Sequence, residues 1–257
     1  MHKLTYKNDL QLSYADHGDQ EGYPFLVQHG LIASIEDYDL FDHLLQQKIR
    51  LICVARPGYG ESSPYLMNGY AEWGEIMSLL VQELRLQKFD VLGISSGAPY
   101  AYSIGCRFPE KVGSLFILSG MPALYDEVVL SHWPYEPIRD LSMAGLEDLS
   151  HRLFFSNLSE ADLKRNDIKD SLRNSGFGVA QDLRLRFMDW GFRLSDVKSR
   201  VFMQHSREDD SIPFQTAIRT SELLPDCRLN LLESGAHFSQ AVLDQFIDET
   251  ILPNLAD

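Results

Sequence analysis

A chain of 257 residues suits one large α/β domain with an insertion better than two independent domains, and its 44% hydrophobic content is enough to bury a sizeable core. The formal net charge of −14 disfavours nucleic acid and anionic membranes as partners and leaves a small molecule as the expected one; no pattern bears on oligomeric state. No apolar run approaches the roughly 18 residues of a membrane span, and Met1-His2-Lys3-Leu4 opens neither an apolar leader nor a cleavage pattern, so a cytoplasmic protein is expected.

In chain order, His2 to Tyr6 and Leu10 to Tyr14 flank the turn-like Lys7-Asn8-Asp9 and predict a hairpin. Tyr23 to Gln28 is a third strand, ending at His29-Gly30. Tyr38 to Gln47 has a helical period, and Arg50 to Ala55 is a short buried strand broken by Pro57 and Gly58. Tyr70 to Leu86 is helical, Phe89 to Ile94 a strand, Gly97 to Phe108 a helix and Val112 to Leu118 a strand. This alternation implies a mostly parallel sheet with helices on both faces.

The alternation then halts. Residues 121–194 show helical signals only: Leu146, Leu149 and Leu153 share one face, Ser159 and Asp162 form a capping box, and Val179, Leu183, Phe187 and Trp190 make a second stripe. Arg184, Arg186 and Arg193 alternate with Leu185, Phe187 and Trp190, which reads as an amphipathic helix with a solvated face. Strand and helix resume with Val201 to His205, Phe214 to Leu224, Arg228 to Leu232 and Ser239 to Leu252. The expected organisation is therefore a core of residues 1–120 and 195–257, with 121–194 as a helical cap over the sheet edge. Cys53, Cys106 and Cys227 form no CxxC and cannot all pair; Cys53 and Cys106 are read as reduced, buried thiols.

Gly93-Ile94-Ser95-Ser96-Gly97 matches G-x-S-x-G. That pattern suits a strand-to-helix turn so sharp that its serine stands strained and exposed above the sheet, the glycines removing side chains that would collide. The apolar strand before it and the small-residue helix after it supply the required context.

With these features the chain resembles the α/β-hydrolase superfamily over roughly residues 1–120 and 195–257. The resemblance implies the α/β-hydrolase fold and a triad in the order Ser, acid, His. His205-Ser206-Arg207-Glu208-Asp209-Asp210-Ser211-Ile212-Pro213 is similar to the family's H-G-x-x-D-x-x-x-P loop, with Ser206 in place of glycine. Counting from either end selects Asp209, with Asp210 and Glu208 as alternatives. Ser234-Gly235-Ala236-His237 follows the last strand and supplies the base, His237. His29-Gly30 resembles the family's oxyanion motif, implying backbone N–H donors at Leu31 and Ser96 with His29 tying the loop. Arg56-Pro57-Gly58-Tyr59-Gly60-Glu61-Ser62 resembles the R-x-G-x-G-x-S landmark, which is assigned a shaping role and no chemistry.

The expected enzyme is a serine hydrolase acting on a small apolar carboxylic ester through an acyl-enzyme, with Ser95 as nucleophile, His237 as base and Asp209 as orienting acid. Trp133, Phe155 and Trp190 of the cap are candidates for its substrate pocket. The same fold also hosts carbon–carbon hydrolases, lactonases, cofactor-free haloperoxidases and non-enzymatic receptors. No metal site and no cofactor is expected: HExxH and a strand-linked G-x-G-x-x-G are both missing from the sequence.

Overall fold

The computed structural model describes residues 1–255. Its strands are β1 (His2–Tyr6), β2 (Leu10–Gly18), β3 (Tyr23–Gln28), β4 (Ile49–Val54), β5 (Phe89–Ile94), β6 (Val112–Leu118), β7 (Arg200–Ser206) and β8 (Cys227–Leu232). The helices are α1 (Asp42–Leu45), α2 (Ala71–Glu83), α3 (Ala98–Arg107), α4 (Glu127–Ser131), α5 (Met143–Ser150), α6 (Asn166–Leu185), α7 (Phe214–Glu222) and α8 (Gln240–Phe246). The strands form one sheet in the order β1-β2-β4-β3-β5-β6-β7-β8. β1 and β2 form the hairpin, turning through positive φ at Lys7, Asn8 and Asp9. β2 is also antiparallel to β4, and all pairings from β4 to β8 are parallel.

This order positions the site. From β3 the chain adds β4 on one side and then β5 on the other, so the strand order reverses at β3. Gln28, at the end of β3, pairs with Gly93, near the end of β5. The loop after β3 and the turn after β5 therefore leave the carboxyl edge side by side, where parallel sheets leave a crevice for ligands.

Side-chain alternation divides the core into two layers. Phe89 and Val91 of β5 pack with Trp73, Met77 and Leu80 of α2 and Tyr102 of α3. Leu92 and Ile94 join Leu44 of α1 and Leu243 and Phe246 of α8 on the other face. Strand β5 is buried along its whole length, which explains its unbroken apolar run. All three cysteines are free, and burial pushes the Cys53 thiol up to about 12.

Three local expectations are corrected between β6 and β7. A π-turn over His151–Phe155 breaks the period of α5, so Leu153 is turned out and 58% exposed while Phe155 is turned in. The Ser159–Asp162 box forms with bonds in both directions, but it caps only a 3₁₀ turn over Asp162–Lys164. The arginine stretch is not a solvated helical face. Helix α6 ends at Leu185 and Arg186 is buried, because this side of the segment packs on the loop before α2: Arg184 Nη1 donates to the Met67 carbonyl at 2.7 Å. Arg193 does lie at the surface, paired with Asp189. Helix α6 is itself bent at Arg173–Gly176, with positive φ at Asn174, Ser175 and Gly176. The C-terminal helix is capped by Ser239 and continues past α8 as a π-turn over Ile247–Ile251.

Candidate active site

Strand β5 delivers Ser95 with a φ of +50°, a left-handed conformation that costs a non-glycine residue energy and persists only where the surroundings enforce it. The flanking glycines allow that close approach. A methyl on Gly97 would stand 2.0 Å from the Gln28 carbonyl oxygen, and one on Gly93 would stand 2.9 Å from Ala98 Cα. The Ser95 carbonyl accepts the Met121 N–H at 2.9 Å, which ties the turn to the segment after β6.

The loop after β7 folds around the Asp209 carboxylate. Its Oδ1 accepts the N–H groups of Ser211 and Ile212 at 2.9 and 2.8 Å, and its Oδ2 accepts His237 Nδ1–H at 2.8 Å. His237 Nε2 then stands 2.9 Å from Ser95 Oγ and accepts its proton. Of the three acidic residues in this loop, the structure brings Asp209 onto His237. Glu208 and Asp210 lie exposed, and Asp210 Oδ1 takes the Ser211 hydroxyl.

Burial pushes the Asp209 carboxyl up, but the contact with His237 and the two amides outweigh it and hold the group below the usual carboxylate range. His205 is buried beneath this loop, with Nε2 2.9 Å from the Ile212 carbonyl oxygen and 3.2 Å from Asp209 Oδ2. Burial lowers its pKa, so the neutral ring braces the loop.

Leu31 and Ser96 lie on the two adjoining loops. Ser96 is the second residue of the 3₁₀ turn over Ser95–Gly97, where N–H groups have no partner within the helix. Gly30 stands beside the nucleophile: a methyl on it would be 3.9 Å from Ser95 Cβ. The His29 ring is buried, with Nδ1 2.8 Å from the Gly30 carbonyl oxygen and Nε2 accepting the Arg56 N–H at 3.3 Å. Burial and the Arg56 guanidinium hold its pKa well down, so it serves as a neutral tie.

The three aromatics expected to line the pocket occupy different places. Phe155 is buried in the cluster that takes in Leu31 and Ile32. Trp133 is half-buried at the edge of the other layer, edge-on to Tyr135 at 5.3 Å. Trp190 has no exposed surface and packs among the rings of Tyr70, Tyr102 and Tyr125.

Asp182 and Arg56 lie outside the site residues expected from the sequence. Both are buried, and they pair at 2.6 Å directly behind the His29-Gly30 loop. A charged residue lying between Val179 and Leu183 of one apolar helical stripe was the available signal.

An imidazole with one nitrogen on a buried carboxylate and the other on a strained serine can draw off the hydroxyl proton as that oxygen attacks an electrophile. The family model for the alpha/beta hydrolase fold matches residues 23–242. The chain belongs to that family. It is an enzyme of the alpha/beta-hydrolase type. Among similar proteins is the 2-hydroxy-6-oxononadienedioate/2-hydroxy-6-oxononatrienedioate hydrolase 1 of Pseudomonas putida. It is 25% identical over 90% of this chain and 87% of that protein. Solved structures of the same fold include an esterase from Exiguobacterium antarcticum, with a TM-score of 0.72, 20% identity and coverage of 98% of this chain and 96% of the esterase. A bromoperoxidase from Bacillus anthracis has a TM-score of 0.69, 20% identity and coverage of 96% of each chain. Among the described residues no helix is long and apolar enough to cross a membrane.

Proposed function

We propose that this alpha/beta hydrolase cleaves small apolar carboxylic esters through an acyl-enzyme on Ser95. The observation that carries the reading is the continuous chain of contacts from Asp209 through His237 to Ser95, at 2.8 and 2.9 Å. Ser95 Oγ attacks the carbonyl carbon while His237 Nε2 takes its proton. The carbonyl oxygen becomes an oxyanion and is met by the N–H groups of Leu31 and Ser96. Collapse expels the alcohol, which takes the proton from His237. Water, deprotonated by the same nitrogen, then attacks the acyl group and releases the acid, and the proton returns to Ser95. Asp209, held anionic, keeps the imidazole in the tautomer that accepts at Nε2 and stabilises the imidazolium.

Phe155 is the cap aromatic that best fits a place against the acyl chain, since it shares an apolar cluster with Leu31. A second reading, hydrolysis of a carbon–carbon bond in a vinylogous diketone, draws support from the Pseudomonas putida relative. A panel of 4-nitrophenyl esters run against such a diketone separates the two. Under the ester reading the esters turn over far faster. The Ser95→Ala variant keeps its fold but loses both ester hydrolysis and labelling by a fluorophosphonate. Labelling that persists in Ser95→Ala and moves to Ser96 would count against the assignment.

A further inference from the structure

Behind the His29-Gly30-Leu31 loop lies a buried polar cluster that the triad does not use. Arg56 Nη1 donates to the His29 carbonyl at 2.5 Å, and Nη2 donates to the Gly30 carbonyl at 2.8 Å. Tyr59 Oη stands 2.9 Å from the Leu31 carbonyl oxygen. Three consecutive carbonyls thus turn toward one guanidinium and one phenol. In a trans peptide the C=O of one residue and the N–H of the next lie in one plane and point opposite ways. Holding the Gly30 carbonyl on Arg56 therefore aims the Leu31 N–H away from the cluster. Gly30 itself faces Ser95 on the other side.

The anchor of this clamp comes from the helical segment between β6 and β7. Asp182 of α6 is 2% exposed and faces three polar side chains, the single Tyr59 O–H being shared with the Leu31 carbonyl. Its Oδ2 takes Arg56 Nη2 at 2.6 Å and stands 2.9 Å from Tyr59 Oη, and its Oδ1 takes the Tyr100 hydroxyl at 2.5 Å. Tyr100 belongs to α3, the helix that begins just after Ser95. A buried guanidinium without a carboxylate is costly, so Arg56 stays in place only while Asp182 faces it. The approach is specified by glycines. A methyl on Gly58 would stand 2.8 Å from the Gly178 nitrogen, and one on Gly178 would stand 2.4 Å from the Tyr59 ring. Gly178 and Asp182 are four residues apart and share a helix face. Close contact at the first therefore lays the second against Arg56.

We infer that Asp182 is a positioning residue for the oxyanion site: by docking on Arg56, Tyr59 and Tyr100 it fixes the peptide that carries the Leu31 N–H. The oxyanion loop and the cap helix then form one unit, and the R-x-G-x-G loop is the seat on which they meet. This rests on the ester-hydrolase reading, so the test carries its own control for that reading.

The variants are Asp182→Asn, which keeps the shape and removes the charge, and Tyr59→Phe, which removes the hydroxyl at Leu31. Each is measured for melting temperature, Ser95 titration by a fluorophosphonate, kcat and KM on a 4-nitrophenyl ester, and inhibition by a trifluoromethyl ketone. The hemiketal oxyanion of that ketone needs the same donors. Outright loss of one such donor lowers turnover by roughly 10²–10³. A displaced donor in Asp182→Asn is expected to lower kcat per titrated site roughly 10- to 100-fold. KM should stay within about threefold, and the ketone's inhibition constant should rise in parallel with the loss of kcat/KM. Tyr59→Phe should show the same signature at smaller size, and it decides alone if Asp182→Asn does not fold. Unchanged kcat per site and unchanged ketone affinity, with only the melting temperature lowered, would overturn the inference. So would a fall in kcat that ketone affinity does not follow. A wild-type chain that takes no fluorophosphonate at Ser95 would remove the ester reading and this inference together, and the titration distinguishes that failure from the other two.

Discussion

Asp209 and Asp210 are neighbours with opposite surroundings, and the difference decides what each can do. The Asp209 carboxylate is fully buried and saturated by two amides and His237, whereas Asp210 is exposed and meets only the neighbouring serine hydroxyl. Asp209→Asn is expected to lower turnover by about 10⁴, as loss of a triad acid does, and Asp210→Asn by far less. Equal losses would show that the loop is used in another register. The same contacts have a pH consequence. The folded Asp209 carboxyl titrates below its unfolded value, so its stabilising effect is complete above the unfolded carboxylate range and disappears as pH falls through the lower folded value. Urea melts should therefore show the stability gap between wild type and Asp209→Asn shrinking from pH 7 to pH 3. A gap that widens on acidification would contradict the sign. These assignments were legible because the acid loop carries two fixed points, His205 and Pro213. Asp182 had no such frame: nothing in its local sequence says that an arginine 126 positions away waits for it.

At the scale of elements, patterning located every strand within a few residues, since each has an apolar face or two. It failed between β6 and β7, where long-range contacts override period. The π-turn exchanges Leu153 for Phe155, and the helix expected to carry Arg186 stops at Leu185 and lies against the loop before α2. The aromatics of this segment therefore do different work. Trp190 is enclosed by three tyrosine rings, so Trp190→Ala is expected to cost about 3–5 kcal/mol of stability with ester preference unchanged. Phe155→Ala, in the apolar cluster that takes in Leu31, should shift preference along a chain-length series while a small activated ester is still turned over. Melting temperatures and the ester series, measured together, check both. A Phe155→Ala variant with flat preference would leave that ring a packing role only.

At the scale of the whole molecule, the strand order places the site before any side chain is considered. Reversal at β3 brings the His29-Gly30 loop against the Ser95 turn, and the parallel run to β8 puts the Asp209 and His237 loops on the same edge. The alternating sequence made this sheet predictable, because strand and helix periods differ and each strand had one or two faces to bury. The seat of the helical segment was not predictable, since it depends on glycines at 58 and 178 meeting across the fold. Rapid acid quench during turnover of an activated ester, followed by peptide mapping, tests for the proposed acyl-enzyme on Ser95. A mass increase equal to one acyl group is expected on the peptide containing Ser95, rising within the first turnover and absent from Ser95→Ala. Steady ester turnover with no acyl adduct at Ser95, or with the adduct on another residue, would contradict it.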